Sequence, residues 1–154
     1  MTQIQLLQDL QLWTEETATF HGDRELSDRV LIAAGWRCIP DPGHAAKLRW
    51  EFGTCPAVLV WPPYVPHPVR SIDAALSQIP PTWRLWCATQ IFRDGHWTID
   101  LAGFGAVVSG SHAAMSIAIC VAVVRVWELE ARYVAPAPGL MRSTIPAAAD
   151  TGLF

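Results

Sequence analysis

Apolar residues recur at three-residue steps from the start of the chain. Ile4, Leu7, Leu10 and Trp13 keep that step with Leu6 beside them, and Thr2 stands ahead as a cap, so the pattern predicts an amphipathic helix over residues 2–20. Phe20-His21-Gly22 reads as its end. Asp23 then reads as the N-cap of a second helix, DRELSDRVLIAAG, with Leu26, Val30, Leu31 and Ala34 on one face and Gly35 just past its C-terminus.

The texture changes after Trp36. Three short runs, Trp36–Ile39, Leu48–Phe52 and Ala57–Trp61, are separated by Asp41-Pro42-Gly43 and Gly53-Thr54, and the middle one alternates as a half-buried strand does. A proline-rich crossover follows, WPPYVPHPVR, then a short helix beginning at Ser71, with Ser71 as its cap and Asp73 in its first turn. Pro80-Pro81 stops it. Trp83–Phe92 and Trp97–Leu101 flank Arg93-Asp94-Gly95-His96, a hairpin signal, and Phe104–Val108 reads as a third strand. Trp83 and Trp86 fall on opposite faces of a regular strand, one toward a helix and the other toward a partner or a cavity. Ser109 or Ser111 is read as the cap of a long apolar helix reaching Tyr133, in which Ile117, Cys120, Val121, Val124 and Glu128 trace successive turns.

These elements predict an α+β fold, an antiparallel β-sheet meander layered with helices on its faces in the manner of an αβα sandwich, with strands before and after the crossover sharing one sheet. Residues 1–22 form the N-terminal helix, 23–133 the domain and 134–154 a Pro/Ala-rich tail. The tail and the long last helix are the surfaces expected to support a homo-oligomer.

Composition narrows the function. Of 154 residues 51% are hydrophobic and 16% charged, ample for a core, and the net charge of −3 gives no general attraction to polymeric nucleic acid. Lys47 is the single lysine, so basic chemistry here is arginine chemistry, planar and bidentate. The four cysteines, at 38, 55, 87 and 120, lack the close spacing of a zinc knuckle or a redox C-x-x-C, and the first residues lack a secretory h-region; reduced thiols in a cytoplasm are expected. Leu101–Val124 holds no Asp, Glu, Lys or Arg, but it opens with LAGFGAVVSGSH and is followed by Arg125, Glu128 and Glu130, which favours a core helix over a membrane span.

DRELSDRVLIAAGW, WPPYVPHPVRSIDAALSQIPPTW and GSHAAMSIAICVAVVRVWE, in that order, resemble the motifs of the phage ABA-sandwich domain, small proteins of phages and prophages. The resemblance covers about residues 23–128, and its central block is the most specific. The chain departs from the pattern at residues 65–70, at Pro81-Thr82 and at Ser111-His112. The resemblance implies helix/sheet layering and a phage setting, the cytoplasm of an infected bacterial host, and it implies no activity.

No catalytic motif stands out. The five histidines form no i,i+4 pair and no H-E-x-x-H, Ser111-His112 adjacency is not a triad, and Gly103-x-Gly105 lacks the G-K-[ST] of a P-loop. Neither a metal nor a cofactor is implied. Two binding features remain. One is a helix N-terminus at Ser109, Ser111 and His112, where free N–H groups suit an anion. The other joins Trp61, Tyr64 and His67 to Arg70 and Ser71, a stacking aromatic and a guanidinium at a helix start, which suits a nucleotide-type ligand; against it, Asp73 disfavours an anion there. The sequence therefore points to a non-catalytic binding protein. One reading is that it sequesters a nucleotide second messenger of host antiviral defence. The alternative is a protein-interaction module using exposed tryptophans, and an enzyme degrading the signal comes third.

Overall fold

The computed structural model describes residues 2–41, 44–52, 58–60, 65–91 and 93–134. Along them run α1 (Gln3–Leu12), α2 (Phe20–Ala33), β1 (Arg37–Asp41), β2 (His44–Phe52), β3 (Val58–Val60), α3 (Ile72–Leu76), β4 (Arg84–Gln90), β5 (Trp97–Gly103), β6 (Ala106–His112) and α4 (Met115–Val134). The class is α+β with antiparallel meanders, as the pattern predicts. The predicted tail, from residue 135 on, lies outside the described residues.

The first helix is shorter than its pattern suggests. Thr2 caps α1 by accepting from the Gln5 N–H at 3.3 Å, but the helix stops at Leu12. The run Thr14–Thr19 ends it: Thr14 and Thr17 hydroxyls lie 2.7 Å apart, and the Thr17 N–H also donates to Thr14 Oγ1. Such side-chain bonds compete with a helix for the backbone. Thr19, not Asp23, caps α2, accepting from the Gly22 N–H at 3.0 Å, and Phe20-His21-Gly22 opens that helix instead of breaking the first. The buried stripe of α1 is Leu6, Leu10 and Trp13, a four-then-three spacing, while Ile4 is 67% exposed. Gly35 ends α2 as predicted. Its φ is 95°, and Trp36 N–H to Leu31 O with Gly35 N–H to Ile32 O forms a Schellman cap.

Helix α4 is the centre of the molecule. Ile117 through Val124 and Val126 are fully buried, each large side chain contributing about 2 kcal/mol of burial. One side of α4 packs on β5 and β6, and α1, α2 and α3 pack on the others. Gly110 permits the close approach to β6: a Cβ there would lie 2.2 Å from the Ala118 carbonyl oxygen and 2.6 Å from the Ala122 nitrogen.

The strands form two sheets, not the single one expected. One has the order β1-β2-β3 and the other β4-β5-β6. The crossover and α3 separate them, because Val69 and Ala75 are buried in the core that includes α4. The first sheet closes a smaller core of Leu31, Ala34, Trp36, Trp50 and Val65, and Trp127 packs against both cores. Gln78, 4% exposed, joins them: its Oε1 accepts from Trp36 Nε1 and its carbonyl from Trp127 Nε1, both at 2.8 Å. Among the described residues no helix is long and apolar enough to cross a membrane.

Candidate functional site

Segment 65–70 is bound to α2 by the side chains that the sequence offered to a ligand. The Arg70 guanidinium donates through Nη1 to Glu15 at 3.0 Å and through Nε to Asp23, and it lies over the Trp13 ring at 5.4 Å. Hydrogen bonding to Glu15 and then to Asp23 raises its pKa further. Ser71 caps α3, accepting from the Ala74 N–H. His67 Nδ1 lies 2.7 Å from Ser27 Oγ, and that oxygen also accepts from the Val69 N–H. The Ser27 oxygen thus joins the imidazole to the backbone of the crossover, and with a second lone pair and its own hydrogen it can pair with either tautomer of His67. A serine hydrogen-bonded to a histidine invites a hydrolase reading, but Ser27 is 0% exposed and no substrate reaches it. These groups hold the crossover in place. Trp61 and Tyr64 lie outside the described residues.

The second feature needs correction. Ser109, Ser111 and His112 belong to strand β6, paired with Asp100, Thr98 and Trp97 of β5, and α4 begins only at Met115. No helix N-terminus exists at these residues. Small side chains, which resemble a loop in sequence, are here what lets α4 lie close on the strand. Ser109 Oγ donates to Asp100 at 2.6 Å. His112, 8% exposed, accepts from the Ala114 N–H through Nδ1 and packs near Trp13 and His96. Burial lowers its pKa, and burial followed by the Arg24 charge lowers that of His67. Among the described residues no group of three His, Cys, Asp or Glu side chains is placed to hold a metal.

The open surface lies elsewhere, on β4 and the β5–β6 turn. The two tryptophans of this edge do separate. Trp83 is 5% exposed and donates to Glu130 of α4 at 2.8 Å, whereas Trp86 is 62% exposed. A bulge between Leu85 and Cys87 carries Trp86, and the Arg84 guanidinium sits 5.3 Å from its ring centroid. Among the described residues Arg84 has no ion-pair partner. Phe104, 73% exposed, completes the surface from the tip of the next hairpin.

That tip is strained. Gly103 pairs with Ala106, leaving Phe104 and Gly105 as a two-residue loop with φ of 51° and 72°. Both positive angles mark the I′ form, whose first position favours Asn, Asp or Gly. A phenylalanine there costs about 1 kcal/mol. Its ring is held edge-on to Trp83, centroids 6.3 Å apart. Together with Val107 and Ala102, these residues line an open cleft of about 490 Å³. It offers a cation over an indole, two exposed aromatic rings and no acid. Sequence reading found Trp86 through strand alternation but missed Arg84 and Phe104, since neither carries a local signal.

Searches against protein-family models, curated proteins and solved structures give no match to this chain.

Proposed function

We propose that the protein is a non-catalytic interaction module that docks a protein partner in the cleft of Arg84, Trp86 and Phe104. The Arg84–Trp86 pair carries the proposal: a tryptophan left 62% exposed beneath a guanidinium without a carboxylate partner among the described residues. Tryptophan and arginine dominate interface hot spots, and an indole of this size in water is unfavourable unless something covers it. The chemistry that fits is a carboxylate next to an apolar side chain. The phage setting implied by the motif resemblance, and the reducing cytoplasm expected from the cysteine spacing, go with this reading.

Peptides selected from a random display library on the wild-type protein, with counter-selection on Trp86→Ala, test it. Acidic-apolar sequences that bind wild type and lose at least tenfold in affinity on Trp86→Ala are expected. A library that yields no Trp86-dependent binder removes the proposal. The same Arg84–Trp86 pair also favours a second reading, a planar anionic ligand of nucleotide type stacked on the indole. A thermal-shift panel of cyclic di- and trinucleotides separates the two, since a tight ligand raises the melting point with concentration.

A further inference from the structure

Strand β4 is the outer strand of its sheet, and α4 packs on β5 and β6. Every residue from Arg84 to Ile91 except Cys87 is exposed, including Leu85 at 41% and Ile91 at 52%. The opposite edge is treated differently. There Arg125 of α4 donates to the Ser109 carbonyl at 2.6 Å. An uncovered edge strand is a template for pairing, and proteins usually blunt it with charge or proline. Residues 85–91, LWCATQI, contain neither.

We infer that β4 pairs antiparallel with β4 of a second copy about a two-fold axis at Thr89, joining two three-stranded sheets into one of six. Two observations converge on that register. The Ile91 N–H donates to His96 across the hairpin, so Ile91 and Thr89 direct their backbone groups to β5, and those of Ala88 and Gln90 point outward. The bulge between Leu85 and Cys87 leaves a regular stretch whose middle is Thr89. In this register Ala88 N–H and C=O meet Gln90 of the partner copy, and the two Thr89 residues form a close, non-hydrogen-bonded pair. A two-fold axis perpendicular to the sheet keeps both α4 helices on one side and both Trp86 clefts on the other. The inference stands apart from the proposed partner cleft, because it rests on the β4 edge and not on Trp86 or Phe104.

Light scattering of the full chain over a range of concentrations should give twice the chain mass. Thr89→Lys, which sets two ammonium groups together on the axis, should abolish the dimer while leaving the circular dichroism spectrum and peptide binding at Trp86 intact. Thr89→Cys in a Cys87→Ser background should form a disulfide-linked dimer on a non-reducing gel, and Gln90→Cys in the same background should not. A monomeric wild type, a folded Thr89→Lys variant that stays dimeric, or equal cross-linking at residues 89 and 90 would each overturn the inference.

Discussion

The indole N–H of Trp13 donates to the Asp23 carboxylate across 2.7 Å, in a place where Asp23 is 2% exposed. The second oxygen of Asp23 accepts from Arg70, which also reaches Glu15. One buried carboxylate thus ties the end of α1, the start of α2 and the crossover together.

Removing it should cost more than any surface charge in the chain. Asp23→Ala leaves a buried indole N–H without an acceptor and removes one of two partners from Arg70. A loss of about 3 kcal/mol is expected. Asp23→Asn keeps an acceptor for Trp13 and should cost roughly half as much. Urea midpoints, with the slope unchanged, measure both. Equal stability of wild type and Asp23→Ala would show the cluster to be ornamental.

Acid should weaken the fold through two histidines. Burial holds both His67 and His112 below their ordinary pKa of 6.5, with Arg24 adding to the effect on His67 and backbone groups of Trp13 and Gln11 opposing it on His112. Between the lowered folded values and 6.5 the unfolded chain binds more protons than the folded one. Stability is therefore full above pH 6.5 and is lost as pH falls through that window. His67→Asn and His112→Asn place an amide oxygen near each Nδ1, so each keeps an acceptor without the titration. The double variant should lose less stability between pH 7.5 and 5 than wild type does. An unchanged loss would assign the acid sensitivity elsewhere.

Local signals made some of this molecule legible and long-range contacts hid the rest. Gly35 and the Ser71 cap were readable because each acts within a few residues of its own position. So was the split between Trp83 and Trp86, which needs only strand alternation. The roles of Arg70 and His67 were not, since Glu15, Asp23 and Ser27 are 55, 47 and 40 residues away. The second half of β6, beyond the expected strand Phe104–Val108, was hidden for a different reason. Gly110, Ser109 and Ser111 have the composition of a loop, and only the helix lying on them makes that composition a requirement of the strand. The division into two sheets was likewise invisible, because pairing partners are chosen by tertiary contacts and not by the strands themselves.

Two glycines should fail for different reasons. At Gly110 the obstacle is space: a Cβ meets the backbone of α4 at 2.2 Å. Gly110→Ala must lift the helix from the sheet, at a cost of about 3 kcal/mol. At Gly105 nothing lies within 4 Å and the obstacle is a φ of +72°, so Gly105→Ala should cost about 1 kcal/mol. Chemical denaturation of the pair gives the order. Finding Gly105→Ala the more damaging would contradict the close packing of α4 on β6.

Phe104 offers the sharpest link between strain and function. It occupies a left-handed position that suits asparagine, and it is 73% exposed, so the core gains little from its ring. Phe104→Asn creates the preferred sequence for a two-residue I′ loop and should raise stability by about 1 kcal/mol, offset in part by the lost edge contact with Trp83. The same change removes an aromatic wall from the cleft beside Trp86. Peptides selected on the wild-type protein should therefore bind the more stable variant less tightly. Thermal melts and titrations on one preparation measure both effects. A variant that gains stability and keeps full affinity would take Phe104 out of the binding surface; one that loses stability would mean that the Trp83 contact outweighs the backbone strain.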